Sequence, residues 1–391
     1  MTAYLVRCGV VFIAATMANA AHADDGGAPV DDAVQIHAFV SQGFLKSSDN
    51  NFLADSKRGS FEFTEVGLNF TKSVTDRLRL GVQLFARDLG PIGDYGAKLD
   101  WFYLDYRFTN WLGLRAGRTK LPFGLYNEIN DVDAARLPVL LPQVVYPFTN
   151  RDLLLAQTGL ELYGYVPLGL AGNLDYRLYG GTIYLPTPPD APPLVVADFQ
   201  VPYIIGGRLL WETPIEGLRA GGSAQALRFD TSYKLAPGTP PVFTGLATLK
   251  LSLRLWLASI EFARRDLLLA IEYGRWTGDL DTNVPMLLKP FTVVNERVYG
   301  MASYHVTTWF TPGAYYSVMY PNVDDRKGRD AYRHDVAATL RFDITTSWIL
   351  KLEGHFIRGT SELDPKLNDN TPVTMMEKDW ALFLAKTTVY F

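Results

Sequence analysis

Residues Thr248 to Leu257 read "TLKLSLRLWL". Leu249, Leu251, Leu253, Leu255 and Leu257 share one parity, and Thr248, Lys250, Ser252, Arg254 and Trp256 the other. Successive side chains of a strand point to opposite faces, so this stretch is a strand with one greasy and one wet face. The same period runs through "LRLGVQLFAR", where Leu78, Leu80, Val82, Leu84 and Ala86 alternate with Arg79, Gly81, Gln83, Phe85 and Arg87. It recurs in "VAATLRFDI", Val336 to Ile344. Sandwich strands are usually about 5–6 residues long. These runs are longer, roughly the 9–12 residues that a tilted strand needs to cross a bilayer.

Such runs are predicted near 34–44, 61–73, 78–88, 98–108, 112–119, 158–167, 173–184, 201–212, 218–230, 247–263, 267–277, 295–308, 314–320, 333–345, 349–359 and 379–391. The even number suits a closed antiparallel barrel with both termini on one side of a membrane. The connections alternate in length. Short turns fall at "SVTDR", "TNW", "PLGLAGN", "TPIEG", "RRD", "FTPG" and "TTSW". Between them lie long segments rich in Pro, Gly and Asp, such as "YLPTPPDAPPLVVADFQ", "YKLAPGTPPVF", "PNVDDRKGRDAY" and "SELDPKLNDNTP". Phe108, Trp111, Trp309, Phe310 and Trp348 sit at the short turns, where amphipathic rings favour a membrane interface.

The net charge of -4 is too mild and too acidic for a nucleic-acid binder. The N-terminus carries Arg7, an apolar run from Gly9 to Ala20, and Ala21-His22-Ala23 before Asp24. This reads as a secretory signal peptide over 1–23, with a barrel domain over 24–391. Cleavage would remove Cys8, the one cysteine of the chain.

The chain ends "AKTTVYF". If the last strand runs inward, Phe391 ends at the interface, on the lipid face with Val389 and Thr387. A last strand finishing in Phe resembles the C-terminal signature of Gram-negative outer-membrane proteins, which implies recognition of Phe391 by the outer-membrane assembly machinery. The strand count, the long third loop and the segment "LRAGRTKLPFGLYNEINDVD", Leu114 to Asp133, resemble trimeric porins, nearest the phosphate-selective porin O and P superfamily. The resemblance implies a 16-stranded antiparallel transmembrane β-barrel, a homotrimer in the outer membrane of a Gram-negative bacterium, and passive diffusion of small hydrophilic solutes or anions.

The longest connection runs from Lys120 to Gln157. A loop of that length without periodicity is unusual in a compact domain unless functional. In porins the third loop folds inward and narrows the pore. The resemblance therefore places Lys120, Phe123, Tyr126, Glu128, Asp131, Asp133 and Arg136 at a constriction. Alternation assigns Arg79, Arg87, Arg107, Arg115, Arg177, Arg208, Arg219, Lys250, Arg254, Arg297, Arg341 and Lys351 to the lumen wall, since charges facing lipid are destabilising. Acids on the same face include Asp105, Glu161, Asp175, Glu212, Glu272, Asp335, Asp343 and Glu353. Rings of charge bias which ions pass. The basic excess suggests a mild anion preference; mutually neutralised pairs with little selectivity are the alternative. Phosphate-selective members cluster basic groups at the constriction. Here Glu128, Asp131 and Asp133 stand against Arg136, with Lys120 at the loop's edge, so phosphate specificity is not carried over.

A barrel enzyme of lipase or protease type is a second class. It would need a nucleophile or water activated by a positioned base. His305 and His355 fall on the wet face, with Glu353 two residues from His355, yet no Ser stands in a recognisable elbow. No His/Cys spacing resembles a metal site and no glycine motif cradles phosphate, so catalytic residues, metals and cofactors are not expected. A non-conducting structural barrel is a third class, and a plugged transporter a fourth.

Overall fold

The computed structural model describes residues 33–391, apart from 150, 239–242 and 244. The signal-peptide reading of 1–23, with Cys8, lies outside the described residues. Sixteen antiparallel strands form one closed barrel in simple neighbour order. They are β1 (Gln35–Ser47), β2 (Thr64–Ser73), β3 (Leu78–Asp88), β4 (Lys98–Thr109), β5 (Leu112–Lys120), β6 (Ala156–Pro167), β7 (Asn173–Thr182) and β8 (Leu194–Glu212). The second half comprises β9 (Leu218–Leu235), β10 (Ala247–Arg264), β11 (Leu267–Thr282), β12 (Phe291–Tyr304), β13 (Phe310–Tyr320), β14 (Arg333–Thr345), β15 (Trp348–Arg358) and β16 (Asp379–Tyr390).

The seam between first and last strands is fully paired, from Phe39↔Tyr390 to Ser47↔Leu382. Phe391 continues it: its N–H donates to Ala38 O at 3.0 Å and its carbonyl accepts from Ala38 N–H at 3.2 Å. A paired terminus leaves the sheet without an open edge. The Phe391 side chain stands outward and is exposed, as is Val389.

The structure differs from the sequence expectation in the length of several strands. β8 begins at Leu194 and β9 runs to Leu235, so parts of two Pro-rich stretches expected as loop are strand. "FTPG" is no turn: Phe310 opens β13, and the turn lies before it, closed by the Thr307↔Phe310 bridge. Pro312 fits inside β13 because only β14 pairs with it there, opposite Leu340; the β12 ladder starts at Gly313, so on that flank the missing N–H breaks no bond.

The outer face carries exposed Leu80, Leu84, Phe102, Val336, Leu340 and Phe356, whose neighbours in sequence point inward. The inner space is not empty. One apolar cluster joins Leu121, Phe123, Val144 and Tyr146 to wall residues such as Leu227, Leu255 and Leu257. A second, near the seam, joins Leu45, Phe63, Leu384 and Trp380 to Phe52 and Leu53 of the first long loop and to Leu363 of the last. Burial is thus inside the barrel, where a segment enters it.

Candidate interior loop and ion belt

That segment is the third long loop, Leu121 to Leu155, ending in a short helical turn, α1 (Arg151–Leu155). It crosses the lumen and is pinned at three places. The first pin lies on β9–β12. Gly124 N–H donates to Ser223 Oγ at 2.8 Å and Leu125 N–H to Glu272 Oε1 at 3.0 Å. Glu272 is fully buried with no cation beside it. Tyr299 Oη, Ser259 Oγ and Tyr146 Oη all donate to its carboxylate. Hydrogen bonds to the charged form replace the water that burial removes. Tyr126 Oη donates to Glu261 Oε2 at 2.6 Å. Gly124 has φ of +67°, and an added Cβ would stand 2.5 Å from Tyr146 Oη and 2.9 Å from Glu272 Oε1. Only glycine fits this corner.

The second pin lies on β14–β16. Lys351 Nζ donates to Asp133 O at 2.6 Å and to Arg136 O at 2.7 Å, and pairs with the Asp133 carboxylate at 3.1 Å. Lys386, which bonds Glu65 at 2.6 Å, stands 3.4 Å from the same carboxylate. Val139 and Leu140 N–H groups donate to Glu353 at 2.7 and 2.8 Å. His355 lies between Glu353 and Asp335, with a ring nitrogen 3.0 Å from each.

The third pin lies at the loop's own base. Arg151 Nε donates to Asp131 at 2.7 Å and Arg151 Nη2 to Asp100 at 2.9 Å; Lys120 stands 3.3 Å from Asp131. Burial alone would push the loop carboxylates up. For Asp131 the Arg151 and Lys120 charges outweigh it, and for Asp133 those of Lys351 and Lys386, so both are held well below the usual carboxylate range.

From the loop a chain of ion pairs runs along the inner wall of β3 to β8. Asp105 Oδ2 accepts from Arg79 at 3.4 Å and from Arg115 at 3.1 Å. Glu161 Oε1 accepts from Arg115 and Arg177, each at 3.0 Å. Glu128 of the loop closes the chain, 3.4 Å from Arg177 and 2.8 Å from Arg208, while Asp175 lies 3.6 Å from Arg208. Tyr163 lies under Arg115, whose guanidinium is 4.4 Å from its ring centroid. Burial would raise the Glu128 carboxyl; Arg177 and Arg208 instead hold it down at about 2. The belt alternates in sign from β3 to β7; across β7–β8 Arg177 stands opposite Arg208, and Glu128 of the loop bridges the two.

The expected constriction residues divide into two groups. Phe123, Tyr126, Asp131, Asp133 and Arg136 are buried and hold the loop in place. Glu128 and Lys120 keep exposure, with side chains 28% and 13% accessible. Among the wall residues, Arg87, Arg177, Arg208, Arg297, Arg341 and Lys351 are buried on the inner face, and Arg79, Arg107, Arg115 and Arg219 keep partial exposure there.

Lys250 and Arg254 are a correction: both point outward. Leu255 and Leu257 of the same strand are buried inside against the loop. Alternation separates two faces but does not say which is inner, and here the entering loop is apolar enough to take the leucines. Outside, Lys250 sits across from Asp281 and Asp230, and Arg254 bonds Asp279 at 2.6 Å. Trp256 and Tyr273, 5.6 Å apart on the outer face, mark where this charged patch gives way to Ile260 and Ile271. β8 to β11 run 16–19 residues, against 9–13 in β1 to β7, so the charged ends are the extra length.

Sequence reasoning missed Lys386, Glu65, Asp100, Arg151 and Arg333, all buried. Lys386 and Glu65 share the inward parity of their strands and were open to the same count. Asp100 sits at a register shift opposite Gln83/Leu84, where parity fails. His305 directly follows β12, at the start of the turn, and bonds Thr311 Oγ1 at 2.8 Å. Among the described residues no group of three or more His, Cys, Asp or Glu side chains is placed to hold a metal ion.

The architecture defines a class: a closed sixteen-stranded barrel with its third loop folded inside. Solved structures align with the barrel over most of their length. An outer membrane protein of Vibrio cholerae, OmpT in its trimer form, aligns with TM-score 0.57 at 13% identity, over 92% of this chain and 99% of that one. The anion-selective porin from Comamonas acidovorans aligns at 0.55 and 12%, over 92% and 99%. The outer membrane channel DcaP of Acinetobacter baumannii aligns at 0.52 and 12%, over 92% and 97%. At these identities the likeness is one of fold, the porin-like barrel. No family model matches the chain. An uncharacterized protein of Aquifex aeolicus (strain VF5) is 25% identical over 156 residues, 38% of this chain and 32% of that relative, so the match spans about a third of that relative's length.

Proposed function

We propose that the chain is a passive diffusion channel for small hydrophilic solutes in the outer membrane of a Gram-negative bacterium. The observation that carries this is a long loop held inside a closed barrel by buried ion pairs, beside a belt of charged groups that keeps some exposure. Solutes would pass between loop and belt, down their gradients, with no catalytic step. The exposed apolar outer face suits lipid, and the outward Phe391 suits recognition by assembly machinery. A homotrimer is the oligomer we favour, as in the V. cholerae structure.

Arg79, Arg107, Arg115 and Arg219 keep some exposure on the inner face, as do Glu128, Asp175 and Glu212. That balance supports a weak preference for anions. The two apolar clusters inside the barrel favour a second reading, a structural barrel that does not conduct.

Planar-bilayer conductance of the purified protein separates them. Stepwise currents in multiples of three, with a reversal potential of anion sign, are the expected result. Deleting 129–138 should enlarge the single-channel step. Silence from a folded, heat-modifiable barrel would overturn the channel reading.

A further inference from the structure

Arg177 on β7 stands directly opposite Arg208 on β8. Like charges in register across two strands repel, so the pair calls for an anion between them. The wall supplies too few. Along the chain of ion pairs it sets Arg79, Arg115, Arg177 and Arg208 against Asp105, Glu161 and Asp175 alone. The missing carboxylate comes from the loop. Glu128 gives one oxygen to each arginine, Oε1 at 3.4 Å from Arg177 Nη1 and Oε2 at 2.8 Å from Arg208 Nη1. Without it, the nearest carboxylate to Arg208 is Asp175, 3.6 Å away. An underpaired cation in a largely buried place is costly, and a planar carboxylate suits guanidinium N–H groups.

Glu128 is fixed through its backbone, not through its side chain. It lies in the short turn Asn127–Ile129. Asn127 Nδ2 donates to the Leu121 and Leu154 carbonyls at 2.9 and 2.6 Å, and Lys120 Nζ to Glu128 O at 3.0 Å. Among the described residues, only Arg177 and Arg208 pair with its carboxylate. That carboxylate lies on the lumen side of them. The Glu128 side chain keeps 28% of its surface accessible, against 5% for Arg177 and 8% for Arg208. Solvent here meets the loop's own carboxylate before it meets the guanidiniums. The room that an incoming carboxylate needs is the room that Glu128 fills.

We propose that the Arg177–Arg208 pair is a binding site for small monocarboxylate solutes, occupied at rest by the side chain of Glu128, which swings out when a solute carboxylate takes its place. The assignment rests on the channel reading and gives it a solute class. One carboxylate leaves and one enters, so the belt's charge balance is kept. Conduction needs a site that a solute can also leave. A tethered competitor, at an effective concentration of about millimolar or more, keeps solute binding weak and closes the arginine pair again behind it.

The test uses the full-length folded protein in a planar bilayer, in potassium acetate or in KCl. Glu128→Ala removes Cγ and the carboxylate, the heavy atoms of one acetate ion. The pins at Glu272 and Lys351 still hold the loop, so the variant should fold. Its acetate current should saturate at an at least tenfold lower concentration than that of the wild type, because no tethered carboxylate competes. Adding Arg208→Gln should abolish that saturation, and KCl should show neither effect. Equal saturation in acetate and chloride would overturn the carboxylate assignment, and an unchanged half-saturation in Glu128→Ala would overturn the exchange, both with the channel intact. If the barrel passes no current, the channel reading fails on its own. The NMR line width of isotope-labelled acetate then decides the site. Broadening by folded Glu128→Ala, lost when Arg208→Gln is added, is the expected result, and an unbroadened line would sink the site.

Discussion

Lys351 on β15 donates at 2.6 Å to the main-chain oxygen of Asp133, a residue 218 positions earlier in the chain. Both side chains are fully buried. The loop's far end is therefore held by one ammonium that serves two carbonyls and a carboxylate. Lys351→Met would fill similar volume and leave Asp133 with Lys386, Arg136 and Thr388. Breaking a buried pair from one side costs about 3–5 kcal/mol. The expected outcome is a lower unfolding midpoint together with flickering single-channel current. A quiet channel of wild-type stability would mean the loop is held elsewhere.

Gly124 sits at the opposite pin with φ of +67°. Gly124→Ala forces a Cβ against Tyr146 and Glu272 and a backbone conformation that costs about 1–3 kcal/mol. The loop base should loosen while the barrel remains. Limited proteolysis should then cut between 121 and 150 faster than in the wild type, with heat-modifiable mobility unchanged.

How much of this was open to reading from sequence follows the range of the physics. Period two is local, and it marked every strand, because each residue's facing depends on its immediate neighbours alone. The facing of a whole strand is not local. In "TLKLSLRLWL" it was decided by Phe123 and Val144, which bring apolar surface into the lumen from more than a hundred residues away. Charge was a misleading guide there, because Lys250 and Arg254 lie beyond the Trp256–Tyr273 line, where outward charge costs little. The loop's path was likewise hidden: Asp133 with Lys351, Tyr126 with Glu261 and Leu140 with Glu353 are contacts that no spacing encodes. Lys386 and Glu65 could have been found by parity.

The facing of β10 is directly testable. Leu253→Cys should react with a charged, water-soluble thiol reagent and change the current. Arg254→Cys, one residue on, should leave the current unaltered when the reagent reacts. The reverse pattern would restore Arg254 to the lumen.

Glu128 gives the loop a pH dependence. Its ordinary value is 4.5 and the belt holds it at about 2. A carboxyl depressed on folding contributes fully above its unfolded value, and that contribution is lost as pH falls through the folded one. Asp131 and Asp133 are depressed further and act in the same direction. Conductance should be flat, on their account, from pH 8 down to about 4.5, and should turn noisy and larger below it. A transition centred near neutrality would assign the loop's hold to another group.

Arg115 is the link on which the belt's charge balance turns. It pairs with Asp105 at 3.1 Å and Glu161 at 3.0 Å, and its side chain keeps 12% of its surface accessible. Arg115→Gln keeps a donor for one of those carboxylates and removes the charge. Arg79 still holds Asp105 and Arg177 still holds Glu161, so the wall should fold. The inner face then carries one more uncompensated negative charge. In water a unit charge about 5 Å from a passing ion is worth roughly 0.8 kcal/mol, a factor of about four in ion population. The reversal potential in a KCl gradient should move toward cations by a permeability ratio of about that size. High salt should erase the shift, since exposed charges are screened within about 3 Å at 1 M. An unmoved reversal potential at low salt would place the belt outside the path that ions take.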